Sequence, residues 1–168
     1  MEEHWVRIKE NPNYLISDLG NVYNLILDRE VRVTPNTHGH MRIGLMNYET
    51  GDRVYRSVAK LVARAFVDPP PSPSLCDYVI ILNGDFGDLR YDNLAWRPKT
   101  FAWRYTHQLK TDQPTHYHNL KVMDVDRGIR YRSIVDAGVE EGLLFDDIWR
   151  STHSGNQVFP SGSVFTIE

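Results

Sequence analysis

Val58-Ala59-Lys60-Leu61-Val62-Ala63-Arg64-Ala65-Phe66 is the stretch on which the fold turns. Val58, Leu61, Val62, Ala65 and Phe66 recur at helical spacing while Lys60 and Arg64 project from the other side, so the segment reads as an amphipathic helix. Pro69-Pro70-Pro71 stops it, because proline has no amide hydrogen to donate and clashes with the preceding turn. Before the helix lie short β-type runs broken by turn chemistry: Tyr14-Leu15-Ile16, Val22 to Leu27, Met41 to Leu45 and Arg53 to Arg56. They predict a small antiparallel sheet. After the helix, Tyr78-Val79-Ile80-Ile81-Leu82 reads as a strand, Asn83-Gly84-Asp85 as a turn, and the segment ending in Asn93-Leu94-Ala95-Trp96 as a short helix or loop.

Residues 101–118 are polar and aromatic without a clear period, and read as a linker lying along a surface. A pattern then returns. Leu120 to Val125 and Ile129 to Arg132 predict a hairpin around Arg127-Gly128. Ser133-Ile134-Val135-Asp136 has the form of a capping box opening a helix that Gly142 ends. A second helix runs through Asp147, Ile148, Trp149 and Thr152, and Ser163 to Ile167 closes as a strand. The fold class expected is α+β.

The chain has 168 residues, 41% of them hydrophobic, enough for an ordinary core without a metal or disulfide staple. The single cysteine, Cys76, makes no internal bridge, and a reducing, cytoplasmic setting is expected. No apolar run approaches the roughly 18 residues that span a bilayer, so no membrane partner is expected. A formal net charge of −3 supplies no general attraction to phosphates, so any DNA binding must come from local patches. His38-Gly39-His40 and His116-Tyr117-His118 would each present two imidazoles on one side of a strand, suitable for zinc if two more ligands converged, but no cysteine pair or acidic partner sits at ligand spacing.

Three groups of residues resemble parts of phage HNH homing endonucleases. Trp5 and Tyr14-Leu15-Ile16-Ser17-Asp18-Leu19-Gly20-Asn21-Val22 resemble the nuclease-associated module in front of such enzymes. Val58 to Phe66, with Asn83-Gly84-Asp85 and Asn93-Leu94-Ala95-Trp96, resembles the HNH domain itself. Val122 to Asp126, Tyr131 to Ile134, Ala137 and Gly162 to Phe165 resemble the helix-turn-helix module that often follows. The resemblance implies a nuclease-associated module plus a degenerate ββα HNH-like domain over residues 1–100, a linker over 101–118, and a hairpin and helix-turn-helix module over 119–168.

An HNH nuclease needs a divalent metal held by Asp or Asn and a histidine base. Counted from Trp96, the resemblance implies that Ile81 stands at the histidine position, Ile80 and Ala102 at the metal-ligand positions, and Ala59 at a further histidine position. On that count the chain is expected to be no enzyme, with no catalytic residues, metal or cofactor. The apolar Val79 to Leu82 run is then either part of a core or a partner surface.

Arg53, Arg56, Lys60, Arg64, Arg97, Lys99, Trp103 and Arg104 are the candidate DNA- or partner-binding residues. Double-stranded DNA is the partner expected first, weakened by the acidic start, Asp146-Asp147, of the helix expected to read the major groove. The expected function is therefore a catalytically inactive, DNA-binding accessory or regulatory protein of a phage, in the host cytoplasm. The alternative is a protein-binding phage factor, an inhibitor of a host enzyme or a component of a virion or other assembly, that reuses the nuclease scaffold.

Overall fold

A computed structural model describes residues 2–70, 72–111 and 115–168; Pro71 of the helix stop and Pro114 of the expected linker lie outside them. The chain divides into two compact units, Met1–Ile81 with Asp85–Lys99, and Leu82–Gly84 with Thr100–Glu168.

In the first unit the short β-runs form two sheets where one was expected. Strands β1 (Trp5–Arg7), β2 (Tyr14–Ser17), β3 (Val22–Asn24) and β4 (Arg29–Glu30) pair in that order, all antiparallel. Strands β5 (Thr34–Pro35), β6 (Met41–Met46) and β7 (Arg53–Ser57) form the second. Polar side chains join the two: the Tyr14 hydroxyl accepts from the Met46 amide at 3.0 Å, and Asn24 Nδ2 donates to the Tyr48 hydroxyl at 2.7 Å.

Helix α1 (Val58–Phe66) starts where Ser57 Oγ accepts from the Lys60 amide at 3.3 Å. Its apolar face, Val58, Leu61 and Val62, is buried with Ile8, Ile16, Val22, Ile43 and Leu94. Each such side chain contributes roughly 1.5–3 kcal/mol by leaving water. Strands β8 (Tyr78–Ile81) and β9 (Leu94–Arg97) pair antiparallel, with Val79 opposite Trp96 and Ile80 opposite Ala95. The segment expected to end as helix or loop is thus a 3₁₀ turn, Tyr91–Asn93, followed by a strand.

Residues 101–118 are not the linker expected. Helix α2 (Lys99–Lys110) occupies most of them, and Phe101, Ala102 and Tyr105 are buried on one side of it. Its sequence hides this, because apart from the half-buried Leu109 the remaining positions are polar or exposed and the helix depends on packing rather than on a broad apolar stripe. The Tyr105 hydroxyl lies 2.9 Å from the Leu82 carbonyl and 3.3 Å from that of Gly138.

The rest of the second unit follows the sequence pattern closely. Strands β10 (Val122–Asp124), β11 (Ile129–Tyr131) and β12 (Phe165–Ile167) make a sheet with β10 central. Helix α3 (Ile134–Glu141) is capped by Ser133, whose Oγ accepts from the Asp136 amide at 2.9 Å, and ends at Gly142 with φ 62°. Helix α4 (Phe145–Ser154) follows, and Val122, Ile134, Leu143, Ile148 and Phe165 fill the core. Among the described residues this is an α+β fold of small antiparallel sheets and four α-helices.

Candidate nucleic-acid interface

Strand β7 is exposed along its whole length, and its pleat sends alternate side chains to opposite faces. Arg53 and Tyr55 share one face with Arg42 of β6, whose guanidinium carbon lies 4.8 Å from the Tyr55 ring centroid. Gly44 sits opposite Tyr55, and a methyl group there would come within 2.9 Å of Arg53 Cδ and 3.2 Å of Tyr55 Cε1. The glycine therefore lets the two long side chains lie flat across the sheet. Arg42 was not among the expected site residues; only the β6–β7 register places it beside Arg53 and Tyr55.

Arg56 points the other way. With Lys60 and Arg64 of α1 it lines a recess of about 250 Å³ that also includes Glu10. Arg64 is ion-paired to Glu10 and so reaches outward as a neutralised pair. Arg97 donates to the Trp96 carbonyl at 2.8 Å, and the Lys99 ammonium lies 5.7 Å from the Tyr78 ring centroid. The six basic candidates of the first unit thus separate into a sheet face (Arg53), a helix-edge recess (Arg56, Lys60, Arg64) and the β9 end (Arg97, Lys99), rather than one row.

In the second unit Trp103 is 69% exposed and its ring stacks on His107 with centroids 5.4 Å apart, whereas Phe101 and Tyr105 of the same aromatic run are buried. Arg104 lies 3.6 Å from Asp147, which Arg150 also approaches at 3.5 Å. Asp146 accepts from the Tyr117 hydroxyl. The carboxylates at the start of α4 are therefore partnered within the unit and also favour the helix N-terminus, so they repel an approaching phosphate less than bare charges would. Burial, and then the Asp146 bond, push the Tyr117 hydroxyl pKa up, while burial pushes the His118 imidazole down.

Other candidates for chemistry are engaged in structure. His38, Gly39 and His40 lie in a turn, not a strand, with Asn36 Oδ1 accepting from both histidine amides. Asp88 and Asp92 flank Arg90, and Asp85 caps the Gly87 amide. Among the described residues no three His, Cys, Asp or Glu side chains gather as a metal site.

The positions that the motif resemblance aligned with a nuclease centre are buried: Ala59 on α1, Ile80 and Ile81 on β8, Ala102 on α2. Ile81 and the partly buried Val79 pack into the first unit's core, which decides between core and partner surface for this strand.

No protein-family profile matches the chain, and no curated protein does. Among solved structures, it is similar to the HNH homing endonuclease I-HmuI, described for its binding and cleavage of DNA, with a TM-score of 0.56 and 22% identity over 98% of each chain. This corrects the expectation that the chain is no enzyme. Its fold is shared with a nuclease, and a count of four positions along the sequence does not decide activity, because a reaction centre is assembled in space and not by distance from one tryptophan. From end to end, the chain has an HNH homing-endonuclease-like fold.

Proposed function

We propose that this chain is a DNA-binding protein built on the scaffold of the HNH homing endonucleases. The observation that carries the reading is the match to a DNA-binding and DNA-cleaving endonuclease over 98% of both chains. In this reading residues 1–100 comprise a nuclease-associated module and an HNH-like domain, residues 119–168 are a helix-turn-helix module, and the protein serves a phage as an accessory or regulatory factor.

Phosphate contact falls to cations that the fold leaves outward: Arg42 and Arg53 on the β6–β7 face, and Arg56 and Lys60 beside α1. The net charge of −3 confines the attraction to these patches.

The test is retention of random duplex DNA by the purified protein at low and moderate salt, with magnesium or manganese present so that strand cleavage is read in the same gel. Tight retention that weakens steeply with salt is the expected result. No retention at low salt would overturn the reading.

A further inference from the structure

Between α2 from Trp103 onward, the turn at 115–118 and the start of α4 lies an opening of about 320 Å³. That is the lower end of the roughly 300–1,000 Å³ typical of small-molecule sites. Its walls are ring systems. Trp103 and His107 lie parallel to within 4° on the α2 side. Tyr117 lines the opening too, held flat by Trp149 at 5.0 Å and 10°. Phe145 and His118 both line it and meet edge to face, with centroids 5.3 Å apart.

Of the polar side chains in the lining, Arg104 pairs with Asp147, Gln108 bonds the Leu143 carbonyl and the Phe145 amide, and Thr111 bonds the His107 carbonyl, while His118 and Asp146 keep bonding capacity for a ligand. His118 Nδ1 accepts from the Thr115 amide at 3.2 Å, so the neutral ring carries its proton on Nε2 and presents a donor there. Burial lowers the pKa of this imidazole, against the opposing pull of Asp146. Asp146 supplies a carboxylate acceptor. An apolar side chain entering the opening would leave His118 Nε2 and the second Asp146 oxygen, the first being bonded by Tyr117, without partners, at a desolvation cost. A bare anion would meet the Asp146 carboxylate. A flat ring carrying both carbonyl and N–H groups on its edge satisfies the stacking faces and the polar pair together.

We propose that this opening receives one unpaired nucleobase of a DNA strand, sandwiched by aromatic rings and read at its edge by His118 and Asp146. The proposal takes the source of the base from the DNA-binding reading above. Bases that leave the helix stack cost least to extrude where they are already unpaired, so a bulged or single-stranded site is the preferred substrate.

The experiment compares the full chain on three probes: a duplex with one unpaired thymine, the same duplex fully paired, and a short oligothymidylate. The expected result is tighter binding of the bulged duplex than of the paired one by roughly tenfold, the size of one base stacked on an aromatic ring. Trp103→Ala brings that ratio to about one, and Trp103→Phe, which keeps a flat ring, retains most of it. Equal binding of bulged and paired duplex by the unaltered chain overturns the proposal and leaves DNA binding standing. A preference that Trp103→Ala does not change also overturns it. Retention of oligothymidylate with no binding of paired duplex, lost in Trp103→Ala, supports the base site while overturning duplex binding. Competition by thymidine monophosphate as strong as that by the oligomer overturns the assignment to a strand-borne base.

Discussion

Asn24 and Asp124, one hundred residues apart, do the same work in two different hairpins. Asn24 Oδ1 accepts from the amides of Ile26 and Leu27 at 2.9 and 3.0 Å, and Asp124 Oδ1 from those of Asp126 and Arg127 at 3.0 and 3.1 Å. Four residues on, each turn closes in the left-handed region, at Asp28 (φ 49°) and Gly128 (φ 68°). The two differ in charge. Asn24 is neutral and bonded to Tyr48, whereas Asp124 is buried and ion-paired to Arg127 at 2.7 Å, in a network with Glu141 and Tyr131.

That difference separates two substitutions. Asn24→Ala removes neutral hydrogen bonds and costs about 1–2 kcal/mol. Asp124→Ala removes a buried carboxylate paired to the partly exposed Arg127 and costs about 2–3 kcal/mol, because hydrogen bonds to a charged group are worth more than neutral ones. Urea unfolding followed by circular dichroism measures both, and equal losses would contradict the distinction.

Asp124 also ties stability to pH. Burial alone would raise its pKa, but hydrogen bonds from Ser163 and Arg127 outweigh it and hold the carboxyl below its ordinary value of 3.8. Since the folded value lies below the unfolded one, the stabilisation is present above pH 3.8 and is lost as pH falls through the folded value. Unfolding midpoints should drop on acidification below about pH 4, and Asp124→Asn should flatten that part of the profile.

Gly138 lies inside α3, where alanine has the higher helix propensity by about 1 kcal/mol. A Cβ there would sit 2.4 Å from Phe145 Cδ1 and 3.2 Å from the Leu143 carbonyl oxygen. Overpacking of that kind costs roughly 1–3 kcal/mol or more and wins over propensity. Gly138→Ala should lower the melting temperature, whereas a rise would show that α3 and Phe145 move apart freely.

For DNA, Lys60→Ala and Arg56→Ala should each weaken binding equally across sequences and reduce the slope of log affinity against log salt by about one. Arg64→Ala should change the slope less, because Glu10 already neutralises Arg64. A salt titration of the three variants checks the order, and an Arg64 effect as large as that of Lys60 would show that the pair opens on binding.

The sequence by itself determined the elements whose signals are local. The α1 periodicity, the Ser133 cap, the Gly142 stop and both hairpins are written within a few residues each, because backbone turns and helix caps are satisfied by near neighbours. Helix α2 was not legible, since its buried residues Phe101, Ala102 and Tyr105 reveal a face only when something packs on it. The candidate site divides the same way: composition marked the cations and the exposed Trp103, but whether Arg64 meets Glu10, Arg104 meets Asp147, or Arg42 joins Arg53 follows from register and packing. The aromatic opening gathers residues from 103 to 146, and no local pattern encodes contacts across that separation. Those were decided by the tertiary structure, because burial and charge pairing depend on which surfaces meet in space and not on their order along the chain.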